Sequence, residues 1–175
     1  MKATGHYEQV KNSDPLQVLS QHTRERIDHW LTKFPPERAR SALIQSLFAA
    51  QEQGGGYLND ELITAVAHYL DVPPVWAYEV ASFYSMLETR PVGRHNVAIC
   101  TNISCWLNGG EGLLRHCEKK LGIKAGQSTA DGRVYLKQEE ECIAACVYAP
   151  AMTVDGHYHE QLTVEKLDEI LDRLE

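Results

Sequence analysis

The chain has 175 residues, 43% of them hydrophobic, and 17 Lys and Arg set against 24 Asp and Glu give a formal charge of −7. That length suits one ordinary domain or two small ones, and the apolar fraction suffices for a packed core. The acidic balance argues against nucleic acid as a partner, because binding phosphates needs a basic surface, and no apolar run approaches the ~18 residues of a bilayer span.

Residues 1–14 are polar and aperiodic, without the apolar centre of a secretory signal. A flexible tail is expected over 1–19. Four helices are expected next, over a helical bundle spanning 20–90. The first runs from Pro15 or Ser20 to Phe34, with Ile27, Trp30, Leu31 and Phe34 at i, i+3, i+4 and i+7. Pro35 and Pro36 stop it. The second runs from Pro36 to Gln53, places Leu43, Ile44, Leu47 and Phe48 inward, and ends at Gly54-Gly55-Gly56. The third opens at Asn59, a good N-cap, with Asp60 and Glu61 favourable at the positive end of the helix dipole. The fourth starts with Pro74 in its first turn, carries Val75, Tyr78, Val80, Phe83, Tyr84 and Leu87, and stops before Pro91.

From Arg94 the pattern changes. Asn96–Cys100 reads as a strand, Gly110–Leu121 as a helix, and Arg133–Lys137 as a half-buried strand alternating Val134 and Leu136. Met152–Val154 and His157–His159 read as a hairpin around Asp155-Gly156. A last helix starts at Thr163, with Leu167, Ile170, Leu171 and Leu174 on one face. The order β-α-β then β-β-α makes 91–175 one unit and the fold class α+β, a small helical bundle followed by an α/β domain with a mixed sheet.

Five cysteines remain to be placed. Cys117 shares a helix face with Leu113, Leu114 and Leu121 and reads as a small hydrophobe of the core. The other four form two clips, Cys100 with Cys105 and Cys142 with Cys146, each where a strand gives way to a loop. The spacing is C-x4-C, 36 intervening residues, then C-x3-C. A cytoplasmic chain is expected, and in that reducing compartment clustered thiols more often bind metal or do redox chemistry than form stable disulfides. Zinc usually takes tighter C-x2-C clips, whereas a two-iron cluster is broader and each iron takes two thiolates. A thioredoxin-type redox pair needs C-x-x-C, which the chain lacks. Two readings stand for Asn108-Gly109-Gly110 and Gly112: glycines that let backbone N–H groups approach sulfur, or only a loop before a helix. Ala144, Ala145, Ala149 and Pro150 supply a small, dry wall to the second clip. His157 and His159 alternate on a strand and read as a solvated face, since no third ligand stands nearby.

The stretches CTNISC, LNGGEG and ECIAACVYAP, with the Asp-Gly hairpin, resemble the thioredoxin-like [2Fe-2S] ferredoxin family. PPERARSALIQSLFAAQEQGGGYL and VPPVWAYEVASFYSML extend the likeness into the helical part. The resemblance implies a thioredoxin-like fold for 91–175 and one [2Fe-2S] cluster held by Cys100, Cys105, Cys142 and Cys146, with no role for Cys117. It implies a one-electron carrier in the NADH-oxidising arm of respiratory NADH:quinone oxidoreductase, docked on the FMN subunit that binds NADH and close to the large iron–sulfur subunit. That arm is peripheral, on the inner face of the cell membrane. The chain would be one part of an oxidoreductase, without a complete active site of its own. An NAD-linked hydrogenase or formate dehydrogenase carries the same module, and a structural zinc module or a thiol redox protein would use the same four cysteines. Ala144 departs from the family, which commonly has glycine there. If the backbone at that position has φ > 0, the alanine costs about 1 kcal/mol.

Overall fold

The computed structural model describes residues 14–138 and 142–175. Most of the expected tail lies outside those residues. Its last part does not behave as a tail: Pro15–Val18 forms helix α1, capped by the Asp14 side chain, and Leu19 is buried. The chain divides into two compact units, Met1–Pro91 and Val92–Glu175.

The first unit is helical. After α1 come α2 (Gln21–Leu31), a 3-10 stretch (Pro36–Ala42), α3 (Leu43–Gln53), α4 (Asp60–Tyr69) and α5 (Pro74–Phe83). Ser20 caps α2 through the Thr23 N–H, so the first expected helix breaks in two at Leu19–Ser20. Asn59 caps α4, accepting from the Leu62 N–H at 2.8 Å. The second expected helix is α-helical only from Leu43, because Arg38 has non-helical φ and ψ. The core of this unit includes Leu19, Ile27, Leu43, Leu47, Leu58, Ile63 and Val66, all nearly fully buried. Each such side chain contributes roughly 1.5–3 kcal/mol.

Helix α5 corrects the sequence reading. It ends at Phe83, and the side chains it buries are Ala77 and Ala81. Val75 and Phe83 are exposed, and Tyr84 lies outside the helix. Alanine lets two helix backbones approach closely, and α5 packs against α4 along that stripe. Trp76, Tyr78 and Val80 flank that stripe and pack partly buried against the core, while Val75 and Phe83 point away.

The second unit is a five-stranded mixed sheet in the order β2-β3-β1-β4-β5. The strands are β1 (His95–Ile99), β2 (Gln127–Ser128), β3 (Val134–Lys137), β4 (Met152–Val154) and β5 (His157–His159). β1 runs parallel to β3 and antiparallel to β4, so it is the central strand. The helices are α6 (Ile103–Leu107), α7 (Gly110–Leu121) and α8 (Val164–Asp172), the last capped by Thr163. Val97, Ile99, Val134, Leu136 and Met152 meet Leu113, Cys117, Leu167 and Leu171 in one core. This is an α+β, thioredoxin-like architecture. Among the described residues no helix is long and apolar enough to cross a membrane.

Candidate metal centre

Both clips sit where the sheet runs out. β1 ends at Ile99, and the Cys100 N–H donates to the Ala151 carbonyl at 3.1 Å, one step beyond the β1–β4 ladder. The chain then turns at Asn102, whose side chain accepts from the Ile103 N–H at 3.0 Å, and α6 carries Cys105. Sequence reasoning missed this helix, since five residues are too short to show a period. Cys100 and Cys105 are 1% and 2% exposed and share a small core with Ala145 and Ala151, against which Ile143 and Ala149 pack.

Gly110 stands behind this first clip. A Cβ there would lie 2.7 Å from the Cys100 carbonyl oxygen and 2.9 Å from that of Cys105. A glycine is therefore required by close backbone contact with both cysteines of the clip. Gly112 has open space around its Cβ position. Close packing at Gly110 is a further role, distinct from both sequence readings for these glycines.

The second clip is different. Cys142 and Cys146 are exposed, and their sulfurs lie 3.2 Å apart. The Ala144 N–H donates to the Cys142 sulfur at 3.4 Å. Ala144 has φ +63°, the left-handed conformation that disfavours a side chain. Cys146 opens a 3-10 turn, Cys146–Tyr148. The chain after β4 ties this clip down. The Tyr158 hydroxyl donates to the Ile143 carbonyl at 2.8 Å, the Gln161 N–H to that of Tyr148 at 2.8 Å, and the Leu162 N–H to that of Pro150 at 2.9 Å.

The four thiols influence one another. Burial pushes the Cys105 thiol up to about 11, against a lowering pull from the Ala151 backbone, with Cys100 and Cys142 raising it further. Cys142 is held below the ordinary thiol range by Cys146, then by the Ala144 N–H. Cys146 is raised by its bond to Cys142, while the Ser104 side chain acts in the lowering direction. Cys117 belongs to the other core, fully buried, and burial pushes it up to about 12. His157 is exposed and His159 half-buried, and burial lowers the latter. Among the described residues no group of three or more His, Cys, Asp or Glu side chains is arranged to hold a metal ion.

In number and type of donor, the four cysteines fit a two-iron cluster. Such a cluster takes four thiolates, two per iron, and the chain supplies two pairs in two clips. Small apolar residues wall the buried pair, and one backbone N–H is already aimed at a sulfur. Sequence reasoning did not find Tyr158, whose partner lies 15 residues away in the loop of the second clip.

Comparison with known proteins adds family and fold. The family described as Thioredoxin-like [2Fe-2S] ferredoxin matches residues 27–175. The NADH-quinone oxidoreductase E subunit of Rickettsia bellii is 43% identical over 144 residues, 82% of this chain and 86% of the relative. The mitochondrial NADH dehydrogenase [ubiquinone] flavoprotein 2 of Dictyostelium discoideum is 36% identical over 89% of this chain and 63% of its own length. A crystal structure of NAD+-reducing [NiFe]-hydrogenase in the air-oxidized state superposes with a TM-score of 0.61 at 23% identity, over 73% of this chain and 22% of that one. That last likeness is one of fold.

Proposed function

The chain belongs to the thioredoxin-like [2Fe-2S] ferredoxin family, and on that premise we propose that it is the one-electron carrier of a respiratory NADH:quinone oxidoreductase. The observation that carries the reading is the pair of clips at one end of the sheet, in a chain 43% identical to a component of such a complex. Cys100, Cys105, Cys142 and Cys146 are the ligands, and a [2Fe-2S] cluster bound there supplies one-electron redox chemistry. Ala145 and Ala151 keep water from the buried pair, and the Ala144 N–H steadies charge on Cys142. The hydrogenase alternative rests on a likeness of fold at 23% identity and is the weaker reading.

The chain works as one part of a larger complex. NADH releases a hydride, two electrons together, so a flavin must divide the pair before a single-electron carrier can act. The partners are therefore the FMN subunit that binds NADH and the large iron–sulfur subunit, in the peripheral arm at the inner face of the membrane. Exposed apolar side chains beside both clips support docking there: Ile103, Trp106 and Leu107 on α6, and Val147 next to Cys146.

The test is iron and acid-labile sulfide per chain, with electron paramagnetic resonance on defined mixtures. The purified protein is expected to stay oxidised with NADH alone and to become reduced by dithionite, or by NADH once the flavin subunit is added. Rapid reduction by NADH without a flavoprotein would overturn the carrier reading. A colourless protein holding zinc would overturn the cluster.

A further inference from the structure

The Ile143–Ala144 peptide is gripped at both ends. Its carbonyl accepts from the Tyr158 hydroxyl at 2.8 Å, and its N–H donates to the Cys142 sulfur at 3.4 Å. Carbonyl and N–H lie on opposite edges of one rigid plane, so any rotation that frees one moves the other. The backbone does not favour this orientation by itself, because it leaves Ala144 at φ +63°. A strained residue persists only where its surroundings fix it. The fixing group comes from a well-anchored element. Tyr158 is paired with Thr153 in the β4–β5 ladder, and the residues after β5 bond the carbonyls of Tyr148 and Pro150.

We propose that Tyr158 is a positioning residue for electron transfer, whose hydroxyl holds the Ile143–Ala144 peptide with its N–H on the Cys142 sulfur and thereby raises the reduction potential of the centre. This rests on the reading of Cys142 as a cluster ligand. An N–H donor stabilises sulfur more as negative charge accumulates on it, so it favours the reduced form. A hydroxyl bonded to the carbonyl of the same peptide also polarises that N–H and strengthens the contact.

The experiment compares the full-length protein with Tyr158→Phe, alone and in an Ala144→Gly background. Iron and sulfide are measured first, then the midpoint potential by redox titration followed by electron paramagnetic resonance. Tyr158→Phe is expected to keep its iron and sulfide and to shift the reduction equilibrium about tenfold toward the oxidised form, about 59 mV for one electron. Electron–nuclear double resonance of the reduced protein should lose one coupling that exchanges in D2O. Glycine takes φ +63° without steric cost, so the same Phe substitution should shift the potential less in the Ala144→Gly background. An unchanged potential, an equal shift in both backgrounds, or loss of iron from Tyr158→Phe would each overturn the proposal. A wild-type chain without iron and sulfide would overturn the ligand assignment along with it.

Discussion

The two clips offer the same number of sulfurs under opposite conditions. Cys100 and Cys105 are buried, and nearby structure sets their geometry: the end of the central strand, the Asn102 cap and Gly110 behind them. Cys142 and Cys146 are exposed, one of the residues between them is strained, and three hydrogen bonds from the chain in and after β5 hold their loop. The first clip is part of the core. The second is a surface loop held from outside, and one metal centre would join the two regimes.

The strongest way to break this contrast is to remove ligands from each side. Cys142→Ala and Cys146→Ala should abolish cluster binding but leave the thermal stability of the metal-free protein nearly unchanged, because both residues are exposed. Cys100→Ala should abolish binding and also weaken the metal-free fold by about 1 kcal/mol, because it empties a buried position. Cys117→Ala should cost stability alone. Iron and sulfide analysis with chemical denaturation separates these cases, and a Cys142→Ala protein that keeps its cluster would end the assignment. A smaller effect is expected at Gly110. There Gly110→Ala forces a methyl against two carbonyls and should destabilise by about 1–3 kcal/mol, the clash exceeding the gain in helix propensity. Denaturant midpoints of the metal-free protein measure it.

Ala144→Gly sharpens the other side. It relieves a left-handed alanine and should stabilise the protein by about 1 kcal/mol, less whatever freedom glycine adds to the unfolded chain. The same denaturant midpoints report it. The smallest effect is expected from shortening. A fragment of residues 91–175 contains both clips and the whole sheet, and it should fold and take up iron and sulfide like the full chain. An unfolded, iron-free fragment would show that the sheet unit needs the helical one.

What was legible in the sequence follows the same divide. Elements with local signatures stand where periodicity and cap chemistry put them: the Asn59 cap, Gly110–Leu121, the Asp155-Gly156 hairpin and the Thr163 cap. Side-chain direction on α5 was not legible, because a face of two alanines is nearly silent in a hydrophobic pattern while Val75 and Phe83 dominate it. The four proposed ligands were visible as spacing. The grip of Tyr158 on Ile143 was not, since a tyrosine on a short strand carries no sign of a carbonyl 15 residues earlier. The strain at Ala144 was visible only through likeness to a family that commonly has glycine there.

The central place of β1 sets an order of events during synthesis. His95–Ala98 pair with Val134–Lys137, and Val97–Ile99 with Met152–Val154, so the first clip leaves the ribosome long before either neighbour of its strand. Even the acceptor for the Cys100 N–H, the Ala151 carbonyl, is made later than all four cysteines. Such distant pairings are slow to form, whereas the helical unit consists largely of local contacts and is finished earlier. On the proposed ligand set, iron loading is therefore expected late in maturation, and until the last third of the sheet unit arrives, two thiols that end up in the core are open to oxidation or to the wrong metal.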